Sequence, residues 1–188
     1  MPLKKFLESP KNKILYILTL VGFLIVLLVE LFIFMPIGST VPTYGVLDFE
    51  FAWTANKGDK IFSIWGSNGL KIQTIAVYWD FLFIIGYVLL AFSLITFTLR
   101  RSENKIQAIG IFITITPFLT GILDLIENLF LLAMLSSPHF VLNPFAFFAS
   151  ISATLKFGFL FIGILYFLVG LIVLLFKKFK KVIGDIYF

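Results

Sequence analysis

Cysteine is absent from this chain of 188 residues, and histidine occurs only once. The lack of cysteine excludes disulfides, thiolate metal sites and cysteine nucleophiles. With a single histidine, His139, the chain cannot hold a haem between two histidines. It also lacks the pattern of carboxylate di-iron bundles, which use Glu-x-x-His on two helices. We expect His139 to be a solvated loop residue. The residues therefore identify no cofactor.

Charged residues are also scarce, at 13% of the chain, whereas soluble domains have about 25%. Hydrophobic residues make up 60%, and the mean hydropathy is +1.06. Four apolar runs, at about 14–35, 74–99, 106–135 and 151–176, are each long enough to cross a bilayer as a helix. The first run exceeds the apolar core of a signal peptide, so we expect it to be retained. The composition predicts an all-α integral membrane protein, a four-helix transmembrane bundle that forms one domain over 1–188.

The basic residues are distributed unevenly between the two sides of the predicted bundle. One side has eleven cations, and the other has three beside Asp48, Glu50 and Asp59. The positive-inside rule then places both termini in the cytoplasm of a multi-pass protein. Because topology accounts for the net charge of +5, we do not expect nucleic-acid binding. The eleven cations are Lys4, Lys5, Lys11, Lys13, Arg100, Arg101, Lys105, Lys177, Lys178, Lys180 and Lys181.

A long outer segment, 36–73, separates the first two spans and is predicted to form a structured cap or a gate over a pocket. Apolar and acidic residues alternate within Val46–Phe51, which predicts a short strand. The stretch Trp53–Trp65 has the pattern of an amphipathic helix at the membrane surface. Gly66 and Gly69 are expected to break this helix before the second span.

Four acids interrupt the apolar runs: Glu30, Asp80, Asp124 and Glu127. A charged residue at membrane depth costs about 2.5–3.5 kcal/mol on insertion scales, so such residues are rare without a role. Counting along alternating spans places all four acids, and Lys156, in the outer half of the bilayer. Helix locking by polar contacts is the structural alternative for each of them.

Helical spacing predicts which of these side chains face one another. Asp124, Glu127 and Asn128 are spaced i, i+3, i+4 and share a face. Asp80 and Tyr87 are seven residues apart in the second span. Lys156 begins a seven-residue series with Gly163 and Gly170, and such small residues favour close helix contact.

We therefore predict an acidic pocket toward the outer leaflet that binds a cation or a small cationic amphiphile or lipid. Asp80, Asp124 and Glu127 supply its negative charge, Asn128 and Tyr87 orient the ligand, and Lys156 pairs with one acid. Glu30 is a further candidate, although it lies near the headgroups. A hard cation such as Ca²⁺ or Mg²⁺ suits ligands that are all oxygen.

Two other functions are compatible with the sequence. The chain would be an accessory structural subunit of a larger membrane complex if the acids only lock helices and the Phe-rich faces meet protein partners. It would be a lipid-modifying enzyme if the paired carboxylates act as general acid and base. The sequence contains no GxSxG, HExxH or phosphate-binding glycine loop.

The four-span layout with a long first outer loop is similar to that of claudin-like tetraspans, but their tryptophan–cysteine signature is absent. It also resembles four-span sterol-isomerase-like proteins, whose bundle holds membrane-embedded acids over a ligand cavity. No motif aligns with either group, so the likeness is architectural and assigns no family.

Overall fold

A computed structural model of the chain describes residues 2–40, 43–137 and 143–187, with side chains within 4–40, 43–137 and 143–177. His139, expected to be a solvated loop residue, lies outside these ranges. After a 3₁₀ helix, Pro2–Leu7, the described part contains six helices. They are α1 (Asn12–Gly38, with a π-helical turn at Glu30–Phe34), α2 (Val46–Glu50), α3 (Ala55–Arg101), α4 (Asn104–Ile113), α5 (Thr116–Ser136) and α6 (Asn143–Tyr187).

Four helical segments are long and apolar enough to cross a membrane: Asn12–Gly38, Ala55–Arg101, Asn104–Ser136 and Asn143–Lys177. This finding confirms the predicted all-helical chain with four candidate spans. The orientation of the termini stays a prediction.

The predicted strand at Val46–Phe51 is wrong, because Val46–Glu50 forms the one-turn helix α2 and the described residues contain no strand. The acidic residue of this turn supports the helix, since Asp48 Oδ2 accepts a hydrogen bond from the Gly45 N–H at 2.9 Å. Phe49 and Glu50 are adjacent and both buried, which a strand with one solvated face does not achieve.

The stretch predicted as a surface helix is helical from Ala55, and it leads through a non-helical residue, Gly66, into the rest of α3. Thr54 caps this helix by accepting a hydrogen bond from the Lys57 N–H. The predicted break is reduced to one residue, Gly66, whose φ of 59° and ψ of −173° are non-helical and suit glycine. Gly69 is helical. The location of this stretch at the membrane surface remains a prediction.

The third span is divided into α4 and α5. Pro117 lies in the first turn of α5, and the helical pattern is interrupted at Thr114 and Ile115. Proline lacks a backbone N–H and its ring clashes with the carbonyl four residues earlier, so the sequence breaks the helix at this point.

Helix α3 contacts α1, α5 and α6, and α5 packs along α6. At the α1–α3 contact, a Cβ on Gly22 would lie 2.6 Å from the carbonyl oxygen of Gly86, so the two backbones touch. Beneath the cap, Phe49 packs against Trp65, whose Nε1 donates to the Tyr44 carbonyl at 2.8 Å. This packing fixes α2 against α3.

Candidate functional site

Lys156 lies at the centre of a buried cluster of charges. Its Nζ is 2.7 Å from Asp124 Oδ1, 2.8 Å from Glu127 Oε2 and 3.5 Å from Glu50 Oε2. All four residues are buried. The cluster joins α2, α5 and α6, so it is built only when the cap docks onto the bundle.

Glu50 reaches this cluster because the chain around it is fixed to α6. The Ser150 hydroxyl donates to the Glu50 carbonyl at 2.6 Å and accepts from the Trp53 N–H at 2.9 Å. Asn143 Oδ1 accepts from the Ala55 N–H at 2.8 Å. Burial raises the pKa of the Glu50 carboxyl, an effect that Lys156 opposes and Asp124 reinforces.

Asp124 uses both of its carboxylate oxygens. Oδ1 accepts from Lys156 Nζ, and Oδ2 accepts from the Tyr87 hydroxyl at 2.8 Å. Tyr87, Asp124 and Lys156 thus form a chain of polar contacts that crosses from α3 through α5 to α6.

Asp80 belongs to a second, separate contact. Its Oδ2 accepts from Asn128 Nδ2 at 2.6 Å. Within the described residues, no Lys or Arg nitrogen lies within ion-pair distance of Asp80. In the described part of the chain, Asp80 is therefore a carboxylate that is held by an amide and contacts no cation.

A cavity of about 530 Å³ opens beside these groups. Its polar wall contains six of the predicted residues, and Glu50 and Gln73, which were not predicted, also line it. The apolar part of the wall includes Phe34, Val77, Phe83 and Leu131. The polar lining residues are Glu30, Glu50, Gln73, Asp80, Tyr87, Thr120, Asp124, Asn128 and Lys156.

A smaller, strongly apolar groove of about 190 Å³ adjoins this cavity. The two spaces share three wall residues: Tyr87, Thr120 and Leu160. Beyond them the groove is lined mostly by alkyl and aromatic side chains, including Leu94 and Phe167. Together the two spaces offer a polar region followed by an apolar one.

The structure brings six of the seven predicted residues to the cavity wall and places the other, Glu127, behind it. Glu127 has no exposed surface and contacts Lys156 from the bundle interior. Its Oε1 has no hydrogen-bond donor in the described part of the chain. Glu30 is exposed and lies at the cavity wall in the π-helical turn of α1, away from the ion pairs.

Two residues of the site were missed by the sequence reasoning. Gln73 lies one residue before the predicted start of the second span, and its position seven residues before Asp80 is the signal that places it on the same face. Glu50 was assigned to a strand in the outer cap. One feature of the sequence indicates that Glu50 is buried: it lies between two aromatic residues, Phe49 and Phe51, in a short apolar stretch.

Within the described ranges, no group of three or more Asp, Glu or His side chains is arranged to hold a metal ion. Comparisons with models of known protein families, with curated proteins and with solved structures found no match to this chain.

Proposed function

We propose that the cavity binds a small amphiphile with a cationic head group. The observation that carries this proposal is Asp80, a carboxylate at the cavity wall with no cation in contact among the described residues. Its hydrogen bond from Asn128 orients the carboxylate but leaves its charge uncompensated. An ionised carboxylate away from bulk water is stabilised by an opposite charge nearby.

The charge count of the whole site supports the same conclusion. Besides the exposed Glu30, four carboxyl groups, those of Glu50, Asp80, Asp124 and Glu127, lie at or behind the cavity wall together with the Lys156 ammonium group. Lys156 contacts three of them and leaves Asp80 to a ligand. A bound cation would lower the electrostatic repulsion within this cluster.

The size and lining of the cavity favour an organic cation over a bare ion. A volume of about 530 Å³ lies in the range of small-molecule sites, which are roughly 300–1,000 Å³. Phe83 packs edge-on against Phe34 and Tyr87 near Asp80, and aromatic faces attract ammonium groups. The adjoining apolar groove offers a place for an alkyl tail.

The contacts of Asp124 favour binding over acid–base catalysis by the pair Asp124 and Glu127. Asp124 already accepts hydrogen bonds on both oxygens, and Glu127 does not line the cavity. Neither carboxylate presents a free oxygen to a molecule in the cavity.

Native mass spectrometry of the protein in a nonionic detergent tests the proposal with two probes, dodecylamine and dodecanol, which differ in charge. We expect the wild-type protein to retain dodecylamine and not dodecanol. Asp80→Asn keeps the shape and removes the charge, so it should weaken dodecylamine binding about tenfold or more.

The matched control is Asp59→Asn, which removes the same charge from an exposed position on the first part of α3. This variant should bind dodecylamine as the wild type does. Equal retention of the amine by the wild type and Asp80→Asn, with both melting at the same temperature, would rule out the proposed role of the cavity.

A further inference from the structure

One face of α3 carries a graded series of side chains at seven-residue spacing: Gln73, Asp80, Tyr87 and Leu94. Seven residues are close to two helical turns, so successive members lie on the same face, roughly 10 Å apart. The first three line the acidic cavity, and the last two line the apolar groove. The order along the helix is therefore amide, carboxylate, phenol and alkyl.

Gln73 is unusual within this series because its side-chain oxygen has no hydrogen-bond donor among the described residues. The residue is only 2% exposed, and its Oε1 receives no hydrogen bond from any residue in the described part of the chain. Buried side-chain oxygens in native proteins almost always have a donor. Because Gln73 lines the cavity, a molecule bound there is the neighbour that would supply one.

From this arrangement, and resting on the function proposed above, we infer that the amphiphile carries a second hydrogen-bond donor beyond its cationic centre. Its ammonium group pairs with Asp80, and its tail passes Tyr87 toward Leu94. A hydroxyl or N–H group on the other side of the ammonium donates to the Gln73 carbonyl. The ligand class is a long-chain amine with a hydroxylated or aminated extension on its nitrogen.

A matched pair of probes tests this inference by native mass spectrometry. The first is dodecylamine with a hydroxyhexyl group on its nitrogen, and the second is the same amine with the hydroxyl capped as a methyl ether. Both have the same charge and nearly the same length, but only the first can donate a hydrogen bond through oxygen. The hydroxyhexyl spacer is chosen to match the roughly 10 Å between Gln73 and Asp80 along α3.

We expect the wild-type protein to bind the hydroxyl probe at least about fivefold more tightly than its ether, because the ether cannot donate the hydrogen bond to Gln73. Gln73→Met, which keeps the length and removes the acceptor, should abolish this preference while the ether affinity stays unchanged. Thr74→Val is the matched control, since the Thr74 hydroxyl bonds within the helix to the Leu70 carbonyl. That variant should keep the full preference.

The possible outcomes separate the two proposals. If both probes bind equally to the wild type, and Asp80→Asn weakens both, the cationic site stands and the second donor is wrong. If neither probe binds but dodecylamine does, the extension is wrong and the cationic site stands, whereas if none of the three amines binds, both proposals are wrong. If Gln73→Met fails to fold, the comparison of the two probes on the wild-type protein still tests whether the ligand needs a second hydrogen-bond donor.

Discussion

The Lys156 ammonium nitrogen lies 2.8 Å from a carboxylate oxygen of Glu127, a residue with no exposed surface. Asp124 holds the same nitrogen at 2.7 Å. Lys156 therefore compensates two buried carboxylates at once and contacts Glu50 of the cap at a longer distance. Lys156 is therefore the cation that offsets the negative charge of this buried cluster.

We expect Lys156→Met to lower the free energy of unfolding by about 3–5 kcal/mol, because it leaves buried carboxylates without their cation. The double variant Lys156→Met with Glu127→Gln should be less destabilised than the single one. The control is Lys177→Met, which removes the exposed ion pair with Glu103 and should leave the stability as in the wild type. Denaturant unfolding in detergent provides the measurement, and purely additive effects of the two buried substitutions would contradict the pairing.

Glu50 gives a prediction for the pH dependence of stability. Because burial raises its pKa in the folded protein, the folded state binds this proton more tightly than the unfolded state does. Its contribution to stability is fully present below the unfolded-state pKa and is lost as pH rises through the folded-state pKa. Glu50→Gln should therefore gain stability relative to the wild type as pH rises. Melting temperatures across roughly pH 5 to 8 measure this difference, and parallel profiles would refute it.

Ser150 is predicted to hold the cap on the bundle. Ser150→Ala removes the partner of both the Glu50 carbonyl and the Trp53 N–H, so we expect it to lower the free energy of unfolding by about 1–3 kcal/mol. Ser136→Ala is the control, since the exposed Ser136 hydroxyl bonds only to the nearby Ala133 carbonyl. Denaturant unfolding of both variants in detergent checks the prediction, and equal stability of the two would argue against this role.

The close approach of α1 and α3 predicts an asymmetric response to glycine substitution. In Gly22→Ala the new methyl group would lie 2.6 Å from the Gly86 carbonyl oxygen, so the helices must separate and the protein should melt at a lower temperature. In Gly158→Ala the added Cβ meets nothing within 4 Å, and helix propensity should raise the stability by about 1 kcal/mol. Similar melting temperatures for both variants would show that α1 does not pack on α3 through Gly22.

The predicted topology has a direct test in this cysteine-free chain. Ser9→Cys and Ser67→Cys introduce the same exposed thiol before α1 and within the outer part of α3. An impermeant maleimide applied to intact cells should label the Ser67 variant and spare the Ser9 variant. Labelling of the Ser9→Cys variant alone would show that the orientation is the reverse of the predicted one.

Local spacing along each helix anticipated much of the site. The i, i+4 relation of Asp124 to Asn128 and the seven-residue relation of Asp80 to Tyr87 put these side chains on the faces that line the cavity. These relations depend only on helix geometry, which is the same in any bundle. Gln73 belongs to the same face but lies just before the predicted second span, 74–99.

The sequence by itself determined four long apolar helices and the faces on which their polar side chains lie, because hydropathy and helical periodicity are local properties of the chain. The tertiary structure alone decided that Val46–Glu50 turns as a helix, that Glu50 joins Lys156, and that Glu127 lies behind the cavity. The pairing of Glu50 with Lys156 joins residues that are far apart in the chain. Such a contact exists only after α2, α5 and α6 pack together, so no local pattern specifies it.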